Sequence, residues 1–343
     1  MKKSLFVIGV AIAALSSCTK NEVLDIAESN TIRFTNSFIG KPTRANLLDN
    51  DNLNSFYVYG AYTNDNWTGN TPIFESGENV YLGPEGWGYD NIVKHENAVY
   101  SFAAYSDGGN TGKGSGMIDA SNGTVSFTNP TSATETSTLK ITGYKTTDNN
   151  DLIVSIADVD MSTQNIGVDF TFKHALSQVK FTLHNPLGNN PIQIERFSVS
   201  GFKDNADLTF TQITGYYNIN WTAPSESKSI TNLDETTSTT ETPAIGIYTI
   251  IPQKIAEPSI SISITAKLYN TVSSEWEESK ELTATIPATS LPEFKPGYVY
   301  NFKITLDMDY IYFDGVSVDD WVDYDANGDG EGDIIDVPTT EQE

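Results

Sequence analysis

Residues 259–269 carry the pattern that most limits the fold. Ile260, Ile262, Ile264, Ala266 and Leu268 fall on every second position, with Ser, Thr or Lys between them. Side chains of an extended strand alternate between faces, so this spacing predicts a half-buried strand of about ten residues. The same period of two recurs in shorter runs at 32–38, 168–172 and 192–199. Residues 56–62, 98–105 and 298–306 read as strands, and 151–157 as a clear apolar strand. Further strands are expected at 124–128, 139–144, 175–183, 208–217, 246–251, 282–286 and 311–318, with 222–242 as a Ser/Thr/Glu-rich surface loop. Runs of helical period are scarce. Many short strands separated by turn residues predict an all-β chain built from β-sandwiches. A length of 343 residues suits two of them. The composition shift at 158–165 marks the expected boundary between 45–160 and 161–343.

Charge narrows the partners. The formal net charge is −25, and loss of residues 1–17 would remove Lys2 and Lys3 but no acid, taking it from −25 to −27. A surface this acidic repels nucleic acid and anionic lipid. The single cysteine, Cys18, excludes an internal disulfide and argues against a thiolate metal cluster.

The N-terminal end carries signals in series. Lys2 and Lys3 precede an apolar run at 5–15, the arrangement of a secretory leader. That run is shorter than the roughly 20 residues a membrane-spanning helix needs. It closes on Leu15-Ser16-Ser17-Cys18, which resembles a bacterial lipobox with Cys18 as the acylated first residue of the mature chain. Residues 19–31 read as a tether. The run at 32–38 follows as a strand with Ile32, Phe34 and Phe38 on one face, and then comes Lys41-Pro42-Thr43-Arg44-Ala45, an exposed basic break.

Catalytic patterns fail on inspection, and no catalytic residue is assigned. A phosphate loop over 107–114 would need Gly at Asp107 and Ser or Thr at Gly114. The three histidines, His95, His174 and His184, are scattered, and His174 reads as structural. Trp67, Trp87 and Tyr89 are candidates to stack on sugars, but core or sheet-edge packing is the simpler reading. One ligand pattern stands. Asp325, Asn327, Asp329, Asp333 and Asp336 occupy positions 1, 3, 5, 9 and 12 of a calcium loop, with Gly330 at the sharp turn. Asp336 replaces the usual glutamate, and no helical pattern flanks the loop. Calcium is the one cofactor this predicts.

Four segments carry a family resemblance. They are Phe172-Lys173-His174-Ala175-Leu176-Ser177-Gln178-Val179-Lys180-Phe181, Tyr248-Thr249-Ile250-Ile251-Pro252-Gln253, Phe294-Lys295-Pro296-Gly297-Tyr298-Val299-Tyr300-Asn301-Phe302, and Val316-Ser317-Val318-Asp319-Asp320-Trp321. In this order, behind the lipobox and Thr43-Arg44-Ala45, they resemble the fimbrillin family, the type V pilins of anaerobic Gram-negative bacteria. The resemblance implies two stacked transthyretin-like β-sandwich domains. It implies a precursor anchored in the outer-membrane lipid through Cys18, then a cell-surface fimbrium. A trypsin-like protease acting in trans would cut between Arg44 and Ala45. The cut would remove 18–44, with Ile32, Phe34 and Phe38 on the exchanged strand. A strand of another pilus subunit would then fill the groove, and a host or bacterial receptor would be the target of adhesion. The alternative expectation is a surface glycan-binding lipoprotein that does not polymerise.

Overall fold

The computed structural model describes residues 31–320, apart from 40–47, 50–51, 64–69, 109–111, 130–134, 147–149, 163–166, 188–189, 214–215, 226–227, 233–235, 239–245, 256–259, 287–290, 292 and 307–310. Among the described residues there is no helix, and the chain is all-β. In chain order the strands are β1 (Phe34–Ile39), β2 (Ser55–Thr63), β3 (Asn70–Pro72), β4 (Glu78–Gly83), β5 (Gly86–Gly88), β6 (Val99–Asp107), β7 (Thr124–Thr128), β8 (Thr138–Lys145), β9 (Leu152–Asp160), β10 (Val168–His174) and β11 (Ser177–His184). They continue with β12 (Ile192–Phe202), β13 (Asn205–Ile213), β14 (Tyr216–Ser225), β15 (Lys228–Asn232), β16 (Thr236–Ser238), β17 (Gly246–Ile250), β18 (Ile260–Asn270), β19 (Glu275–Trp276), β20 (Lys280–Ile286), β21 (Tyr298–Leu306) and β22 (Ile311–Asp320).

Four sheets result. The first runs β1-β10-β9-β6-β2-β4-β5, with β3 also paired to β2. It is buried on both faces. Tyr57, Ala103, Tyr105, Leu152 and Val154 point to one side and pack on a four-stranded sheet ordered β14-β13-β8-β7. Phe56, Val58, Phe102, Phe170 and Phe172 point to the other side and form a second core. That second core is built from residues of the first sheet and its own connections, including Ile32 and Phe34, so the sheet curls around it. Two covered faces explain why β2 and β6 read as continuous apolar runs rather than alternating ones.

The remaining sheets face each other. One is ordered β17-β11-β21-β22; the other runs β15-β12-β18-β19, with β16 on β12 and β20 on β18. Val179, Phe181, Phe302 and Ile304 of the first meet Phe197, Val199, Ile262 and Ile264 of the second. Here one face of each sheet is covered, and β18 shows the strict in–out alternation its sequence predicts.

Two sequence expectations change. The expected loop at 222–242 contains the end of β14 together with β15 and β16, both of which pair antiparallel with β12. Thr and Ser fit a pleated surface well, so a run rich in them can complete a sheet edge as readily as a loop. The sheets also cross the expected boundary at 158–165. β10 pairs with β9, and β13 pairs with β8, so strands from both sides of residue 160 share two of the sheets.

Candidate functional site: the slot of the first strand

β1 lies at the edge of the curled sheet and runs parallel to β10. Phe34 is in register with Val168, Ser37 with Phe170, Phe38 with Thr171 and Ile39 with Phe172. The Val168 N–H donates to the Arg33 carbonyl at 2.7 Å. On the opposite side the same segment meets the connection after β5. Thr31 forms an antiparallel bridge with Lys94, and the Ile32 N–H donates to the Val93 carbonyl at 2.9 Å. β1 and the residues just before it therefore sit in a slot between β10 and residues 89–94, and they link the two ends of the curled sheet.

The slot grips the segment from inside. The Tyr89 hydroxyl donates to the Ile32 carbonyl at 2.8 Å and accepts the Val93 N–H at 3.3 Å. Burial, the largest influence on this phenol, raises its pKa, so it remains a neutral donor at any physiological pH. Phe34 enters a cage of five rings. Its centroid lies 6.2 Å from Phe56, 6.3 Å from Phe74, 5.5 Å from Tyr89, 6.0 Å from Phe102 and 5.9 Å from Phe170. The Phe170 ring is stacked and those of Phe56, Tyr89 and Phe102 meet Phe34 edge to face, the arrangements favoured by the aromatic quadrupole.

The register shifts between Phe34 and Ser37. Phe34 and Ile39 are both buried on this strand, five positions apart. Ile32 and Phe34 are both buried, as their alternation predicts, while Phe38 is placed by its backbone pairing with Thr171. On the outer face Thr35 lies over Gly167. A Cβ on Gly167 would come within 2.3 Å of the Thr35 Cγ2 and Oγ1 atoms, and the Thr35 hydroxyl donates to Asp169. Tyr89 was legible only as a generic aromatic. Gly167 and Asp169 gave no signal beyond a glycine ahead of an alternating strand.

Leu48, after β1, is fixed to the core. The Leu48 N–H donates to Asp151 Oδ2 at 3.0 Å, and Asp151 is held by His174 Nδ1 at 2.9 Å, all three residues being buried. Nearby, Asp107 accepts from Tyr144 at 2.8 Å and from Asn122 at 2.7 Å. Burial raises the Asp107 carboxyl to about 7, with Asp151 adding to the rise and the two hydrogen bonds opposing it. His174 is thus a packed, bonded residue at the end of β10. Trp87, half-buried, packs on Phe56 at 4.9 Å, and Tyr89 lies in the core.

The remaining sequence candidates, Cys18, Arg44, Ala45 and the residues Asp325, Asn327, Asp329, Asp333 and Asp336, lie outside the described residues, as does Trp67. Among the described residues no group of three or more His, Cys, Asp or Glu is placed to hold a metal ion.

An all-β chain with a strand slotted into its own aromatic core defines a class of β-sandwich proteins whose first strand is structurally distinct from the body. The chain belongs to the fimbrillin-like family, whose profile matches residues 43–321. This is a structural class of fimbrial, adhesion-related proteins rather than an enzyme class. β1 lies ahead of the matched span. Among solved structures, a fimbrial protein from Bacteroides vulgatus is similar at 15% identity, with 85% of this chain and 99% of that chain covered and a TM-score of 0.48. The fimbrial anchor protein Mfa2 from Porphyromonas gingivalis is similar at 11% identity, over 84% of this chain and 98% of that one, with a TM-score of 0.34. No curated protein matches the chain.

Proposed function

We propose that the protein is a subunit of cell-surface fimbriae, made as a lipoprotein held at the outer membrane through Cys18 and kept from assembling by its own β1. Cleavage after Arg44 by a trypsin-like protease frees β1. A strand of another subunit then enters the slot between β10 and residues 89–94. The observation that carries this reading is the position of β1. It is an edge strand, joined to the body through residues 40–47, yet it fills the centre of a ring cage. Its loss would leave backbone groups unpaired on both walls, which is the condition for strand addition from another chain. Burial of Ile32, Phe34 and Ile39 contributes about 1.5–3 kcal/mol each, and each ladder hydrogen bond about 0.5–1.5 kcal/mol. Against a typical domain stability of about 5–15 kcal/mol, an empty slot is a substantial loss.

The test is trypsin-like treatment of the purified precursor. Cleavage between Arg44 and Ala45 is expected to convert a monomer into ladders or filaments, and Arg44→Ala to leave it monomeric. A cut protein that stays monomeric and as stable as the precursor overturns the reading. The loop at 325–336 is proposed as a weak calcium site on its spacing alone, with affinity of roughly 0.1–1 mM as in extracellular modules. Calorimetry that shows no heat at millimolar calcium, or heat unchanged in Asp325→Ala, removes it.

A further inference from the structure

The occupant of the slot is read on both of its faces. Inside, the cage around Phe34 is formed by Phe56, Phe74, Tyr89, Phe102 and Phe170, and its one polar atom, the Tyr89 hydroxyl, is engaged with backbone at 32 and 93. A smaller side chain there leaves a void, and affinity falls as the volume of that void grows. Outside, Gly167 leaves room for the branched end of Thr35, and Asp169 accepts from its hydroxyl. An acidic residue in that place would set two carboxylates together. Across the register shift, Phe34 and Ile39 are both buried, five positions apart. The seated strand runs parallel to β10, with the Arg33 carbonyl taking the Val168 N–H and the Ile32 N–H given to Val93.

We infer that the slot accepts a strand from a different subunit that runs parallel to β10 and presents an aromatic residue to the cage, followed at once by Ser or Thr over Gly167 and Asp169, with an aliphatic residue five positions after the aromatic. This rests on the strand-exchange reading and adds the identity marks of the incoming strand. A second copy of this chain is the natural comparison. In its β22 sequence, Phe313 and Val318 repeat the spacing of Phe34 and Ile39, but Asp314 stands where Thr35 does. Brought into the slot in that register, Asp314 would face Asp169. The β22 of this chain is therefore a poor occupant, and a hydroxyl-bearing strand of another subunit is a good one.

The experiment uses the whole chain with a specific protease site placed within 40–47, cut so that the first strand stays seated, and labelled peptides offered in excess. Exchange is read by fluorescence anisotropy. The peptide of residues 31–39 is expected to exchange in. Its Phe34→Ala and Thr35→Asp forms should each bind about tenfold more weakly or worse, on the scale of losing one buried anchor or facing one like charge. The peptide of residues 311–320 should bind weakly, and its Asp314→Thr form about tenfold better. If no peptide enters, including that of 31–39, strand exchange itself fails. If all enter with equal affinity, exchange stands and the proposed selection is overturned.

Discussion

Among the described residues two strand pairs run parallel and the others antiparallel, and the two differ in how they are held. β11 and β21 run together without interruption from Gln178↔Val299 to His184↔Thr305, flanked by β17 and β22 on their outer sides. Phe181 stacks on Phe302 at 5.2 Å in a core that draws on both facing sheets. β1 and β10 share a shorter pairing broken by a register shift, and β1 is the terminal strand of its sheet. Both pairs bury aromatic side chains. The interior pair is inseparable from its sandwich, whereas the edge pair is bound by one strand's own side chains and a few backbone bonds. Burial therefore does not decide whether a strand is integral; its place in the sheet and the number of walls it shares do.

The largest expected effect breaks the interior pair. Phe302→Ala should cost about 4–5 kcal/mol, seen as a lowered midpoint in urea, and no added peptide should restore it. Phe34→Ala should cost about 3–4 kcal/mol in the uncut chain, and excess peptide of residues 31–39 should recover part of the loss by mass action. Equal resistance of both variants to rescue would erase the distinction between the pairs. Gly167→Ala crowds Thr35 and should cost about 1–3 kcal/mol, with a coupling to Thr35→Gly revealed by a double-mutant cycle. Additive losses would show that the two residues do not meet.

A pH-dependent effect concerns the buried polar groups around Asp107, at the end of β6. Asp107 has a folded-state pKa of about 7, above the ordinary carboxyl value. The folded state therefore holds a proton that the unfolded chain releases, so this group's contribution is present at low pH and is lost as pH rises towards 7. Stability relative to Asp107→Asn should fall by up to about 1.4 kcal/mol per pH unit between roughly pH 4 and 7, then level off. Asn replaces one carboxyl oxygen with an NH2 donor, so an offset in absolute stability is expected, and the slope is the readout. A flat difference curve would mean that Asp107 titrates as an ordinary carboxylate.

Much of the fold was legible, and the reasons are local. β18 announced itself because one of its faces is wet, so polarity alternates at Ser261, Ser263 and Thr265. β2 and β6 were legible as strands, while their burial on both faces came from the structure. β15 and β16 were missed because their Ser and Thr residues are equally at home in a loop, and their pairing with β12 is a tertiary fact. The first strand was visible in Ile32 and Phe34. Its slot was not, since the bond from Ile32 to Val93 is made by backbone atoms that carry no residue signature. Parallel pairing with β10 is likewise invisible, because alternation looks the same whichever way the neighbour runs. The register shift between Phe34 and Ser37 depends on hydrogen bonds rather than on side-chain type.

The slot of β1 has a geometric consequence. Under the proposed exchange, a strand given and a slot that receives it would be unlike surfaces. Unlike surfaces repeat as a translation with a twist rather than closing as a symmetric pair. A chain of units joined in that way would have two different ends, one showing a vacant slot and the other an unused strand. It would lengthen where its vacant slot met a fresh strand, and stop once the last slot was filled by a strand whose owner had none to fill.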